Sequence, residues 1–424
     1  MVPKIGLVYF FSLLFLTPYI GLGNYGITLL EIAAFLFLAI SLLINNGKSI
    51  KIPNILSVFF ILYILGFIGA TINSALNWGI PFSFSNLNFF YKIIIATSAY
   101  NLGVHFFTYF QEKKIDIFSN LVIKITISLI LLMVVTWPFL NYDLRIKIYQ
   151  IFFTQGGLER LQSLRFPGPG INNNSYSFFI NVLFVLSLNS WINKRCKFYT
   201  PLFLFIIILA LASKLAIGSA IMALIFLLIV ELKVNGFILK KRPVILLSSI
   251  TFITTCLIFI ILITEFKEKI SESFLLLRRI DMLSTNDPNI DRSGFSERYY
   301  LWNLGVERVK LSPILGIVKN PSVADSSSNI INFANPHNEW LRIWMFFGLL
   351  GLSSWIILIG YFILYNLKSK NFYFFMIWLN FLFFMTYDGG IDNPRFIVFL
   401  FFLFGWNIKL NKIMDKNLEN QLIN

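Results

Sequence analysis

Charge is what this sequence has least of. Only 13% of its 424 residues are Asp, Glu, Lys or Arg and 57% are apolar, whereas a soluble chain carries about 25% charged residues. That shortage excludes an ordinary water-soluble enzyme of this length and implies a bilayer as solvent. Histidine and cysteine are rarer still, at two each. Cys196 falls in a short basic stretch and Cys256 inside an apolar run, so neither a disulfide framework nor a cysteine metal site can be built. Acids number 20 against 35 bases, a formal charge of +15. No cluster of acids for a divalent cation is evident, which predicts chemistry without a metal and without a cofactor.

What is present in quantity is apolar sequence. A helix crosses about 30 Å of hydrocarbon with about 20 mainly apolar residues. Suitable runs lie at 5–22, 24–44, 55–76, 87–107, 119–140, 176–192, 244–264, 340–367, 372–388 and 396–410. The run after Lys4 has only a weak cleavage pattern and further apolar segments follow at once, so it reads as a first span and not a signal peptide. The stretch 202–230 is too long for one upright helix and short for two ordinary ones.

Lys and Arg in short loops stay cytoplasmic. With the N-terminus inside, the inner loops hold Lys48 and Lys51; Lys113 and Lys114; Lys194, Arg195 and Lys197; Lys233, Lys240, Lys241 and Arg242; and Lys368 and Lys370. Both flanks of 202–230 are then inside, so that stretch goes out and returns as two half-helices turning near Ser213-Lys214. The resulting fold class is all-α: a single polytopic membrane domain of about 12 transmembrane helices with both termini cytoplasmic. The basic excess orients the chain. Scattered over many short pieces, it forms no coherent face for nucleic acid.

Two outer loops exceed the others, 141–175 and 265–339, and long loops with structure of their own usually carry function. The first ends in the Gly/Pro/Asn-rich run from Arg165 to Asn174; the second holds a helix predicted over 295–311, from Phe295 through Arg298 and Trp302 to Val309. His105 reads as interfacial. His337 sits in Asn335-Pro336-His337-Asn338 at the start of the tenth span, where Asn335 can cap and Pro336 suits the first helical position. An outward-facing helix N-terminus attracts phosphate and disfavours imidazolium, leaving the ring free to accept a proton.

The topology puts Lys92, Arg165, Lys214, Arg298 and Arg342 at the outer face or in the outer leaflet. Snorkelling to headgroups suits Arg342 best and Lys92 next. It suits Lys214 poorly, because half-helix turns are tolerated where they line a cavity. Few outer acids balance these cations at membrane level; Asp388 closes the eleventh span, and Asp392 pairs with Arg395 in this reading. A basic, partly apolar outer cleft around one histidine suggests a lipid-linked phosphate or pyrophosphate.

These residues resemble the O-antigen ligase and polymerase family. Its members carry His, then Asn, Ser or Gln, nine residues, Gly, two residues, and Gly, Thr or Tyr; here His337-Asn338 is followed at that spacing by Gly348 and Gly351. Ser296-Glu297-Arg298 through Trp302, then Ser312-Pro313 and Gly316, looks like the family's Arg-containing helix and Pro-Gly turn. Arg165 with Gly168, Gly170 and Asn172 resembles its earlier outer-loop arginine, and Lys92 its lysine of the fourth span. Ser213-Lys214 stands where members have Ser-Arg or Thr-Arg, which keeps the charge and loses the planar fork.

The resemblance implies a metal-independent GT-C glycosyltransferase at the periplasmic face of a Gram-negative inner membrane. His337 and Arg298 would be catalytic; Lys214, Arg165, Lys92 and Asn338 would hold the pyrophosphate of an undecaprenyl-pyrophosphate-linked oligosaccharide, with Arg342 and Asp388 as further candidates. The polymerase activity is favoured by the Phe-, Ile- and Asn-rich composition; the alternatives are ligation to lipid A-core and, in another class, a lipid-linked oligosaccharide flippase. A chain-length regulator is a further implied partner.

Overall fold

The computed structural model describes residues 19–22, 25–43, 52–82, 88–112, 116–152, 173–211, 213, 216–225, 295–318, 330–331, 333, 336–387 and 394–423. In chain order these form β1 (Tyr19–Leu22), β2 (Tyr25–Thr28), α1 (Leu29–Leu43), α2 (Asn54–Trp78), α3 (Asn88–Glu112), α4 (Leu121–Thr136) and α5 (Tyr142–Phe152). Then come α6 (Asn173–Ile192), α7 (Tyr199–Ala210), α8 (Ala216–Ile225), α9 (Phe295–Leu311), α10 (Glu339–Lys368), α11 (Phe372–Tyr387) and α12 (Pro394–Ile423). Among the described residues, three helices are long and apolar enough to cross a membrane: Asn54–Trp78, Phe89–Phe110 and Glu339–Lys368.

Helix dominates as the composition demands, with one local difference. Where the first two spans were expected to meet, β1 and β2 pair antiparallel, Tyr19 opposite Thr28 and Leu22 opposite Tyr25, and α1 follows from Leu29; residues 5–18 of the first expected span lie outside the described residues. Within 202–230, α7 ends at Ala210, and buried Ser213 lies outside helix ahead of the described helical residues Ala216–Ile225. The expected span 244–264 lies outside the described residues.

The described residues divide into two compact units, one within Leu30–Tyr109 and Asp291–Asn424, the other within Phe10–Leu29 and Phe110–Ile290. In the second unit α6 is buried on every side from Tyr176 to Leu188 and packs on α7, as an all-round apolar helix must. Asp116 ties its end down: one carboxylate oxygen caps the 3-10 turn Ile117–Ser119 through Phe118 N–H, and the other accepts from Ser190 Oγ at 2.7 Å.

The first unit is organised on α2 and α10. Helix α2 begins after Pro53 and stops at Gly79, whose left-handed φ of 61° lets its N–H reach back to Ser74 O. Its buried stripe Phe59, Tyr63, Phe67 meets Phe89 of α3 and Trp355 and Phe347 of α10, with Phe67 and Phe89 stacked at 4.2 Å. Its opposite stripe, Leu65, Ile68, Ile72 and Leu76, is exposed. At the other end of α10, Asn366 and Asn407 exchange 2.8 Å hydrogen bonds, and Asn411, Asn371 and Trp378 extend the network. Buried amides cost free energy unless paired, so this network locks α10, α11 and α12 in one register.

Helix α10 is broken at Gly348, where φ is 62° and ψ −162°, a region open essentially to glycine alone. In an unbroken helix Leu349 N–H would meet Met345 O. Instead Leu349 N–H donates to Ile314 O at 3.0 Å, and Met345 O accepts from Ile317 N–H at 2.8 Å. The Pro-Gly turn after α9 is therefore inserted into the missing rung. Only glycines fit on both sides: a Cβ on Gly348 would collide with Ile314 O, and one on Gly316, itself at φ 74°, with the backbone of Phe346 to Gly348.

Candidate functional site

The candidate residues sit on the elements that this insertion holds together. His337 directly precedes α10. Its φ is 50°, a left-handed conformation uncommon outside glycine, and its side chain is half-buried. The capping expectation is corrected by three residues. The N-cap is Asn338, extended at φ −149° and ψ 110°, whose Oδ1 accepts from Leu341 N–H at 3.1 Å. His337 thus lies before the helix and not in its first turn, and Pro336, buried, is in the approach to it. The physical reason is that an Asn side chain satisfies an orphan N–H three residues on, and Asn338 has Glu339 next to it to start the turn with an acid. Asn335 lies outside the described residues.

Arg298 is half-buried near the start of α9. That helix packs on α10, and Gly305 faces Pro336: a Cβ there would lie 3.2 Å from the proline Cβ and 3.4 Å from Met345 Sδ. Arg298 and His337 are thereby carried by neighbouring segments. The connection is tightened by Arg308, which is 1% exposed. Its Nη2 donates to Ile317 O at 2.9 Å, its Nη1 donates to Phe333 O, and its guanidinium lies 4.8 Å from the Phe346 ring centroid. One cation therefore joins α9, the inserted turn, the lead-in to His337 and α10.

The second grouping comes from α2, α3 and α10. Glu339 is 1% exposed and pairs with Arg342 at 3.2 Å. Lys92, half-buried on α3, is within electrostatic range of both, and the Tyr63 phenol of α2 is in range of the same pair. Arg342 was expected to extend towards headgroups; its side chain is 12% exposed because the buried carboxylate holds it inside. The expectation of few acids at this level changes with it, since Glu339 offsets one of two cations and leaves a net positive cluster.

The first unit thus brings together Lys92, Arg342, Asn338 and His337, with Arg298 on the helix packed beside them. Lys214, Arg165 and Asp388 lie outside the described residues. His105 touches Phe37, ring centroids 5.8 Å apart. Sequence reasoning missed Glu339 and Arg308. The cue for Glu339 was its place two residues after the histidine; for Arg308, a burial that no sequence pattern marks. Among the described residues no three His, Cys, Asp or Glu side chains gather as a metal site would require.

Apolar helices long enough to span, by length and composition, support a membrane-integral protein, with Arg342, Glu339 and Lys92 grouped at the start of α10. Residues 200–356 match the family model described as O-antigen ligase. The matched stretch contains Lys214, Arg298, Arg308, His337, Glu339, Gly348 and Gly351; Lys92 and Arg165 precede it. No curated protein matches the chain.

Proposed function

We propose that this protein is an O-antigen polymerase: a metal-independent, inverting GT-C glycosyltransferase of the Gram-negative inner membrane with its site on the periplasmic face. The donor is a glycan on undecaprenyl pyrophosphate and the acceptor a sugar hydroxyl of another lipid-linked repeat unit. The observation that carries this reading is the placement of His337, left-handed and half-buried just before α10, with the helix of Arg298 packed on its lead-in and Lys92 near Arg342 and Glu339.

In the proposed step, His337 takes the proton of the acceptor hydroxyl while that oxygen attacks the anomeric carbon. The bond from that carbon to the pyrophosphate oxygen breaks, and undecaprenyl pyrophosphate leaves with the electron pair. Arg298 stabilises the charge developing on the leaving group, and Lys214, Arg165 and Lys92 hold it. Asn338 Oδ1 is engaged in the helix cap, so Nδ2 is the part of that side chain left to meet a ligand. A chain-length regulator would act on the assembled enzyme.

The second reading is ligation onto lipid A-core, favoured by the description that the family model bears. Complementation of polymerase-deficient and ligase-deficient strains separates the two. Glycan ladders that lengthen on the carrier without reaching lipid A support polymerisation; attachment of single chains to lipid A overturns it in favour of ligation. With purified lipid-linked donor in liposomes, wild-type transfer by His337→Ala would remove the proposed base.

A further inference from the structure

The segment after α9 is shaped like a dip. Its tip touches the long helices at Gly69 and Gly348, and its two flanks touch α2 nearer the helix end. At the tip, Leu315 packs on Gly69, where an added Cβ would lie 3.3 Å from Leu315 Cδ2, and Ile314 O accepts from Leu349 N–H. On the flanks, Asn73 Nδ2 donates to Ser312 Oγ at 3.0 Å and to Gly316 O at 2.7 Å, and Val318 N–H donates to Ser74 Oγ at 2.9 Å. At 1.5 Å rise per residue, Gly69 is about 14 Å from the Trp78 end of α2, and Gly348 about 14 Å from the Glu339 end of α10. Both points lie inside the apolar stretches of helices long enough to span a membrane.

A non-helical backbone survives at membrane depth only when its polar groups are satisfied by protein. Here Pro313 has no N–H to satisfy, and its carbonyl accepts from Trp344 Nε1 at 2.8 Å. Gly316 N–H bonds Ser312 O, Ile317 N–H bonds Met345 O, and Ile317 O accepts from Arg308. The side chains that remain outward are apolar. Ile314 is 67% and Leu315 41% exposed, and they continue into exposed Leu349 and Leu350 of α10 and the exposed Ile68 and Ile72 of α2. The exposed charges on the approach, Glu307 and Lys310, are paired with each other about one turn back along α9, and Arg308 between them is buried.

We infer that residues 312–318 form a re-entrant turn within the hydrocarbon layer, whose Ile314–Leu315 tip lies against the acyl chains of the bilayer. The partner is fixed by continuity, because the tip extends the exposed apolar stripes of two candidate spans without a polar interruption. The outer loop expected over 265–339 therefore returns into the membrane before His337. The inference is independent of the glycosyl-transfer reading.

Site-directed spin labelling tests it. The full chain, with Cys196→Ser and Cys256→Ser, would carry a nitroxide at Leu315→Cys, Leu349→Cys or Lys310→Cys in vesicles of phosphatidylethanolamine and phosphatidylglycerol. The expected result is a label at 315 that collides with oxygen and is shielded from a water-soluble nickel chelate, like the label at 349, while the label at 310 collides with the chelate at least severalfold more. Equal chelate accessibility at 315 and 310 overturns the inference. If Leu315→Cys does not yield folded protein, the same comparison at Ile314→Cys decides it.

Discussion

Glu339 and Arg342 meet at 3.2 Å in the first turn of α10, with side chains 1% and 12% exposed. The pair is local, i to i+3, yet it lies at the junction of α2, α3 and α10, because Tyr63 and Lys92 are coupled to both members. Removing one partner of a buried pair leaves the other charge uncompensated, at a cost of about 3–5 kcal/mol. Glu339→Ala should therefore lower the unfolding temperature in detergent sharply, and Glu339→Leu with Arg342→Met should recover most of the loss. A double variant as unstable as the sum of the single ones would show that the two residues do not act as a pair.

The break in α10 gives an internal comparison between glycines of one helix. Gly348 is held at φ 62° against Ile314 O, whereas a Cβ on Gly360 meets nothing within 4 Å. Gly348→Ala should prevent folding or cost several kcal/mol, since both the backbone region and the space exclude a side chain. Gly360→Ala should be neutral or stabilise by up to about 1 kcal/mol through helix propensity. Size-exclusion profiles after a temperature series would read both, and a folded, wild-type-like Gly348→Ala would refute the inserted-rung geometry.

Cys196, in the loop between α6 and α7, bears a thiol pushed up from 9.0 to about 12, first by burial and then by the Asp116 carboxylate, with Lys124 acting the other way. The sign follows directly. A value raised in the folded state stabilises the fold fully below the unfolded value, and that contribution is lost as pH rises from about 9 towards 12. At pH 9, where an ordinary thiol is about half ionised, the folded thiol should be alkylated about five hundredfold more slowly, because only the thiolate reacts. Iodoacetamide kinetics on the Cys256→Ser protein would check this, and Asp116→Asn should speed the reaction. A rate that levels off near pH 9 would contradict the raised value.

Much of this is legible in the sequence. Apolar runs locate the long helices, the stretch from Phe295 through Trp302 to Val309 marks the helix over 295–311, and Ser213 is the polar interruption in an overlong apolar run. Short-range competition was harder to read. Asn335 and Asn338 are both good caps, and the choice falls to Asn338, at a place where α9 packs against Pro336. The pairing of Tyr19–Leu22 with Tyr25–Thr28 is hidden by hydropathy, which reads both segments as parts of apolar spans. Glu339 and Arg308 were opaque for a different reason: a charge reads as surface until the partners that permit its burial are in place, and these come from residues distant in sequence.

Lys214 provides the test that links charge to the proposed chemistry. If it holds the departing pyrophosphate, Lys214→Ala should reduce transfer by about two to three orders of magnitude, the usual effect of removing one transition-state donor. Lys214→Arg should retain much of the activity, because Arg keeps the cation and presents a planar fork that suits phosphate. Transfer assays on purified variants in liposomes would measure both, and wild-type rates in Lys214→Ala would return the residue to the snorkelling class.

Arg308 tests how the two candidate segments are kept in register. Its guanidinium satisfies Ile317 O and Phe333 O at once and covers the Phe346 ring. A planar fork can reach two carbonyls in different directions, whereas an ammonium on a thinner stem acts as a point charge. Arg308→Lys should therefore lose one of the two bonds and Arg308→Met both, at about 1.5–3 kcal/mol for each charged hydrogen bond. Hydrogen exchange should rise first in the peptide 312–318, whose carbonyl is released, and under the proposed reaction kcat should fall in Arg308→Lys with KM little changed, because His337 shifts while the phosphate-binding cations stay. Unchanged exchange and unchanged kcat in Arg308→Met would mean that Arg308 fills space and positions nothing.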